Sequence, residues 1–310
     1  MKACAKGKSV AMRVLLTGAS GFLGGAIAAR LVDEGVQVRA MGRTDGSRKL
    51  VQRFGEQAKA VQWLIADVAK GPDVIAAAEG CDALVHLAGQ LTPFCQADPI
   101  AGAMVNVMGT LNIFEAARRH DIGKVVYCSS GGVFGMDDNQ VPYPLTHYGA
   151  FKLANEGNAR AYWLDHQIAS VGFRPFVVYG PGRETGLSAG PTLACRAAAR
   201  GEAYTLPLTG KIGLVYIDDV AASFCSAAQS SFDGAHVFNL PGEEVKIIDI
   251  LEKIREIVPE AKLNCAGDPL PMVSTTRDDY QNGLYNVPPS ISMAAGLKKT
   301  IDFYRAYSKD

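Results

Sequence analysis

Paired cysteines are missing from this 310-residue chain: Cys4, Cys81, Cys95, Cys128, Cys195, Cys225 and Cys265 are scattered, with no CxxC. An odd, dispersed set of seven excludes a disulfide framework and a zinc cage. Small buried hydrophobes in a reducing, cytoplasmic setting are expected instead, with no metal site. An excess of one charge is missing too. Lys and Arg number 31 against 31 Asp and Glu, a formal net charge of zero, so nothing draws the chain to nucleic acid or to an anionic membrane. No apolar run reaches the roughly 18 residues that span a bilayer. The opening Met1–Ala11, with Lys2, Lys6 and Lys8, mimics the basic region of a signal peptide, but Val14–Leu16 is too short an apolar stretch to complete one. Internal repeats and low-complexity segments are absent. With 48% hydrophobic and 20% charged residues, the composition is ordinary globular stock.

What is present is alternation. Arg13–Thr17, Val36–Met41, Val61–Ile65, Ala83–Leu87, Lys124–Cys128 and Ile168–Arg174 read as short buried strands. Phe22–Glu34, Pro99–His120 and Leu145–His166 read as helices, the first closed by Gly35. Strands alternating with helices predict an α/β fold, a doubly wound parallel sheet of Rossmann type with ligands at the strands' carboxyl ends. Residues 1–12 read as an N-terminal arm and 13–174 as the dinucleotide-binding domain. Residues 175–310 read mainly as a small substrate-binding lid, with about 213–242 threading back into the first domain. In that second part Gly180–Gly190 is loop, and helices are expected at Thr192–Arg200, from Asp218 (as N-cap) to Ala228, and at Ile247–Val258. A strand is expected at His236–Leu240, and the tail from Pro269 is turn-rich.

Three local patterns carry chemistry. Gly18-Ala19-Ser20-Gly21-Phe22-Leu23-Gly24 falls directly between the first strand and the first helix. Glycines there allow a tight turn and close approach of a pyrophosphate to the helix N-terminus. Tyr148 and Lys152 are one helical turn apart and share a face. An ammonium beside a phenol favours phenolate, which would fit Tyr148 for proton exchange with a substrate hydroxyl. Ser129 and Ser130 end the fifth strand, at the sheet edge where ligands bind. His86, His147 and Cys128 are expected to be structural.

With Asp67-Val68, His86-Leu87-Ala88-Gly89, Asn106-Val107-Met108-Gly109-Thr110, the Arg174–Pro181 run and Val215–Ala221 added in order, the sequence resembles the extended short-chain dehydrogenase/reductase family, its epimerase/dehydratase branch. The resemblance covers Arg13 to about Leu240. It implies an enzyme in which Ser130 bonds the substrate oxygen, Tyr148 is the general acid/base, and Lys152 holds the nicotinamide ribose and tunes Tyr148. It further implies that Gly18, Ser20, Gly21, Phe22, Leu23 and Gly24 hold the cofactor. Asp67 and Val68 would flank adenine, Leu87, Ala88 and Gly89 would line the cofactor, and Phe176 would pack near the nicotinamide. Asn106 stands where the family bends its helix or touches the cofactor, and a purely local capping role for Asn106 and Asp67 is the alternative. A homodimer through helices 99–120 and 145–166 is also implied.

The end of the second strand selects the cofactor. Gly42 stands where an NAD enzyme usually carries Asp, and Arg43 follows, with Arg48 nearby, so NADP is expected, NAD being the other choice. The chain has Val177 where nucleotide-sugar epimerases usually have asparagine, and no arginine just before Val215. The expected activity is therefore hydride transfer between the cofactor and a small, possibly sugar-derived, hydroxyl or carbonyl substrate. A nucleotide-sugar epimerase or dehydratase with tightly held NAD is the alternative. Arg183 and Lys211 are candidate anchors for a carboxylate or phosphate.

Overall fold

The computed structural model describes residues 11–276 and 290–307, so most of the N-terminal arm lies outside the described residues. Strands and helices alternate from the start: Arg13–Thr17 (β1), Phe22–Asp33 (α1), Gln37–Gly42 (β2), Ser47–Phe54 (α2), Gln62–Ile65 (β3), Gly71–Ala78 (α3) and Ala83–His86 (β4). Thr92–Ala97 (α4), Pro99–Ala103 (α5) and Gly109–Arg119 (α6) follow, then Lys124–Cys128 (β5), His147–His166 (α7), Ala169–Pro175 (β6) and Val177–Tyr179 (β7). The remainder comprises Gly190–Arg200 (α8), Tyr204–Leu206 (β8), Lys211–Tyr216 (β9), Ile217–Gln229 (α9), Ala235–Leu240 (β10), Glu243–Lys246 (β11), Ile247–Ile257 (α10), Leu263–Cys265 (β12) and Met293–Ala306 (α11).

Seven parallel strands form the main sheet in the order β10-β6-β5-β4-β1-β2-β3. Successive side chains of a strand point to opposite faces, and β1 shows it. Val14 and Leu16 pack with Ile27, Leu31, Val220 and Phe224 of α1 and α9, whereas Leu15 packs with Ile113, Phe114 and Ala159 on the other side. Both faces are covered, so a strand reads as an unbroken apolar run. The last strand of the sheet, β10, pairs with β6 from Ala235 opposite Ser170 to Leu240 opposite Pro175. A second sheet, β11-β9-β7, stands beside it, with β8 and β12 as a separate pair.

Three expectations need correcting. The helix over 99–120 is not uniform: a π turn occupies Met104–Met108 between α5 and α6. By length and composition alone Pro99–Arg119 could cross a membrane, although Asn106, Thr110, Asn112 and Glu115 interrupt its apolar run; here it packs against α3 and α7. The tail contains a full helix, α11, capped by the Ser292 hydroxyl accepting from Ala295 N–H. Asp218 is not the N-cap of α9. Tyr216 holds that position, and Asp218 sits in the first turn, where a carboxylate still favours the positive end of the helix.

Candidate functional site

The crevice opens where the strand order reverses, between β1 and β4. Thr17 ends β1 beside His86 at the end of β4. Its Oγ1 lies 2.7 Å from His86 Nδ1 and accepts from the N–H groups of Leu87 (3.3 Å) and Ala88 (3.2 Å). His86 Nε2 is 3.1 Å from Thr110 Oγ1. Burial, helped by the charge of Lys152, pushes its pKa down to about 3, so this imidazole is a neutral strut between two strands and a helix.

Strut and turn meet at Gly18. Its φ of +76° suits glycine, and a Cβ there would stand 2.9 Å from Ala88 N and Leu87 C. A Cβ on Gly24 would run into the Gly18 carbonyl. Gly21, the N-cap of α1, offers no side-chain cap, and the first turn of α1 carries no acidic residue. The first N–H groups of α1 therefore have no side-chain acceptor, which is the arrangement an anion needs.

The cleft in front of this turn has a volume of about 760 Å³. Gly18, Ser20, Gly21, Phe22, Leu23 and Gly24 line one end, and Leu87 and Gly89 its middle. Ser130, Tyr148, Lys152 and Phe176 line the other end, with Leu270, Pro271 and Met272 above them. Arg43, Asp67, Val68, Ala88 and Asn106 do not line it. Arg43 is exposed just beyond β2. Asp67 Oδ1 accepts from Ala69 N–H (3.0 Å), and Val68 is buried against Gly109. Asn106, in the π turn, caps Gln90 in both senses: its Oδ1 accepts from Gln90 N–H (3.0 Å) and its Nδ2 donates to Gln90 O (3.1 Å).

At the far end, Ser130 Oγ accepts from Gly132 N–H (3.0 Å). The start of α7 is fixed by Thr146, whose hydroxyl accepts from Gly149 N–H (3.1 Å). Gly149 also lets α7 come close to the serine loop, since a Cβ there would collide with the Gly132 carbonyl. This brings Tyr148 beside Ser130. Lys152 is buried, donates to Cys128 O (2.7 Å), and has its Nζ 5.6 Å from the centre of the Tyr148 ring. Burial lowers the Lys152 pKa. It also holds the Tyr148 phenol well above its ordinary value; Cys128 adds to the rise, while Ser130 and Arg183 pull the other way. The lowered phenol expected from the lysine spacing is thus reversed: desolvation outweighs Ser130 and Arg183.

A buried network braces this end. Glu156, one turn beyond Lys152, accepts from Ser129 Oγ (2.5 Å) and from Arg174 Nε (2.8 Å) and Nη2 (2.6 Å). The reading of the sequence missed it, although its i+4 spacing from Lys152 was a signal. Cys128, expected in the core, is half-buried on the cleft wall, and burial raises its thiol pKa, so it stays protonated. His147 is exposed, on the first turn of α7. Of the two candidate anchors, Arg183 lines the cleft; Lys211 pairs with Glu244 at 3.2 Å and does not. Among the described residues no cluster of ligating side chains could hold a metal.

A doubly wound sheet with a glycine turn at its reversal point defines a dinucleotide-binding enzyme of the extended short-chain dehydrogenase/reductase type. The chain belongs to the NAD dependent epimerase/dehydratase family, whose profile matches residues 14–240. It is 28% identical to a UDP-glucose 4-epimerase of Mycolicibacterium smegmatis over 96% of this chain and 100% of that one. It is 31% identical to a 2-alkyl-3-oxoalkanoate reductase of Stenotrophomonas maltophilia, over 72% of this chain and 67% of that protein. The structure of UDP-glucose 4-epimerase from Thermus thermophilus in complex with NAD superposes with a TM-score of 0.81 at 25% identity, covering 95% of this chain and 99% of that one.

Proposed function

We propose that this protein is a nicotinamide-dependent oxidoreductase that moves a hydride between its cofactor and a small hydroxyl or carbonyl compound, with Ser130, Tyr148 and Lys152 as the catalytic set. A nicotinamide dinucleotide, when bound, would supply the hydride donor or acceptor. The uncapped Gly18–Gly24 turn fits its diphosphate, and Leu87, Gly89 and Phe176 fit its nicotinamide half. Asp67 and Val68, just beyond β3 and outside the cleft lining, would flank the adenine only where it extends past the glycine turn. Ser130 Oγ, already accepting from Gly132, keeps its own hydrogen for the substrate oxygen. Tyr148, held protonated, gives its proton to that oxygen as a carbonyl is reduced. Lys152 commits one donor to Cys128 O and has two left for ribose hydroxyls.

The observation that carries this reading is the apolar wall opposite the glycine turn. Phe176, Val177, Leu270, Pro271 and Met272 suit an alkyl-substituted carbonyl compound better than a nucleotide sugar. The rival, a nucleotide-sugar epimerase, is supported by the end-to-end likeness to UDP-glucose 4-epimerase. An epimerase returns the hydride to its substrate and keeps its cofactor, whereas an oxidoreductase must exchange it. Purified protein should therefore carry little nucleotide and change the nicotinamide absorbance with a 2-alkyl-3-oxo acid. Stoichiometric resident NAD, with interconversion of UDP-glucose and UDP-galactose and no net reduction, would establish the epimerase instead.

For the cofactor, Gly42 leaves the end of β2 without a carboxylate, and the exposed Arg43 supports NADP. Gly42→Asp should move preference toward NAD, and Arg43→Ala should weaken NADP more than NAD, both read from dissociation constants. Exposed Ile100, Met104, Met108 and Leu164 on the two long helices support a homodimer. The unpaired thiols of the described cysteines support a reducing, cytoplasmic setting.

A further inference from the structure

We infer that Arg53 and Arg183 form a two-arginine clamp for a diphosphate diester, closing over the glycine turn from two separate parts of the chain. The inference rests on the dinucleotide reading above and adds residues that neither the glycine pattern nor the catalytic set contains. Phe22, the first residue of α1, is the centre of the arrangement. The Arg53 guanidinium, from α2, lies 5.2 Å from its ring centre, and that of Arg183, from the loop between β7 and α8, lies 5.4 Å from it. Both side chains line the cleft.

Neither guanidinium is fully used. Arg53 Nη1 donates to Phe22 O (2.8 Å), and Arg183 Nη2 donates to Ser188 Oγ (2.9 Å). The Nε atom of each is buried without a hydrogen-bond partner. Among the described residues no carboxylate comes within 4 Å of either: Glu184 is 3.8 Å from Arg196, and Asp218 is 3.7 Å from Lys299. Two half-buried cations beside the positive end of a helix, with no acidic residue in its first turn, make a region short of negative charge. Burial lowers the pKa of both, that of Arg53 to about 10 even against the raising pull of Tyr304, Asp218, Tyr216 and Glu184.

A diphosphate meets this deficit better than a carboxylate does. It carries two charges on two phosphorus centres, and each guanidinium fork can take a pair of phosphate oxygens. Two sources share that chemistry, the cofactor and a nucleotidyl substrate. Arg53 stands on the cofactor's side of the cleft, while Arg183 bears electrostatically on Tyr148.

The test is calorimetric titration of the whole protein with ADP-ribose and with UDP-glucose, using wild type, Arg53→Gln, Arg183→Gln and the double variant. Each single variant should weaken at least one ligand by tenfold or more, and the slope of log affinity against log salt should become shallower. Weaker ADP-ribose binding would assign the clamp to the cofactor; weaker UDP-glucose binding with ADP-ribose unchanged would assign it to a substrate. Thermal melting without ligand should be unchanged or raised in the glutamine variants, because an uncompensated cation is removed, and the ligand-induced rise should shrink. Arg183→Lys, which keeps the charge but not the fork, should bind with intermediate affinity. Variants that bind both ligands like wild type would overturn the clamp alone. A wild type that binds neither would overturn the dinucleotide reading and the clamp together.

Discussion

At the Gly18–Gly24 end of the cleft, donors outnumber acceptors: the first turn of α1 is uncapped, and Arg53 and Arg183 each keep a buried Nε without a partner. At the Tyr148 end the side chains are tied into the protein. Ser130, Lys152, Ser129, Glu156 and Arg174 all have partners within the protein. One end keeps donors open to an anion, and the other is already paired within the protein. The contrast matches the two tasks of such a site. Holding an anion needs unfilled donors, whereas proton transfer needs groups fixed in advance.

The sharpest separation comes from Tyr148→Phe. Losing the proposed proton donor should cost ~10²–10⁴ in kcat, with dinucleotide affinity, measured by titration, almost unchanged. Next in size is Arg174→Met, which strands the buried Glu156 carboxylate and should cost about 3–5 kcal/mol in urea unfolding. Adding Glu156→Leu should recover most of that stability without restoring activity, if the pair serves to position Ser129 and α7. A double variant with full kcat would show that this bracing is dispensable.

His86 gives a smaller effect with a defined sign. The unfolded chain takes up a proton below the ordinary histidine value of 6.5, while the folded chain stays neutral until about 3. Stability contributed by the neutral form is therefore complete above 6.5 and is lost as pH falls. The loss should be about 2 kcal/mol between pH 6.5 and pH 5, read from urea midpoints, and His86→Gln should flatten that slope. The smallest effect is expected at Thr146. Replacing it by Ala removes the cap of α7 and should cost about 1 kcal/mol, with a modest loss of kcat as Tyr148 becomes less well fixed.

Much of this was legible in sequence because it is local. The glycine turn and the Tyr148–Lys152 spacing each occupy a few consecutive residues, and the buried strands announce themselves as apolar runs. Features that depend on chain segments far apart were not. Arg53 reaches Phe22 across 31 positions, and nothing in α2 marks it as more than one arginine on an amphipathic helix. The raised pKa of Tyr148 was not legible for the same reason: spacing shows the lysine but not the desolvation. Helix α11 was hidden by mixed polarity, since only one side of it, with Leu297, Ile301 and Tyr304, is buried. Asn106 suggested a bend in its helix or a cofactor contact; the π turn around it has no pattern of its own.

That π turn has a consequence for the length of the chain rather than its chemistry. A π turn accommodates one residue more than an α-helical turn. Deleting any single residue from Met104–Met108 would return the helix to regular winding and rotate everything after it by about 100° relative to everything before. Either Ile113, Phe114 and Ala117 would swing off the sheet, or Pro99–Ala103 would swing off its own neighbours. The Asn106 carbonyl, which accepts from both Thr110 Oγ1 (2.7 Å) and Asn155 Nδ2 (2.9 Å), would lose its registration with α7 in either case. A one-residue deletion here would act at a distance, as a frame error does, and the damage would appear at Lys152, three residues from Asn155.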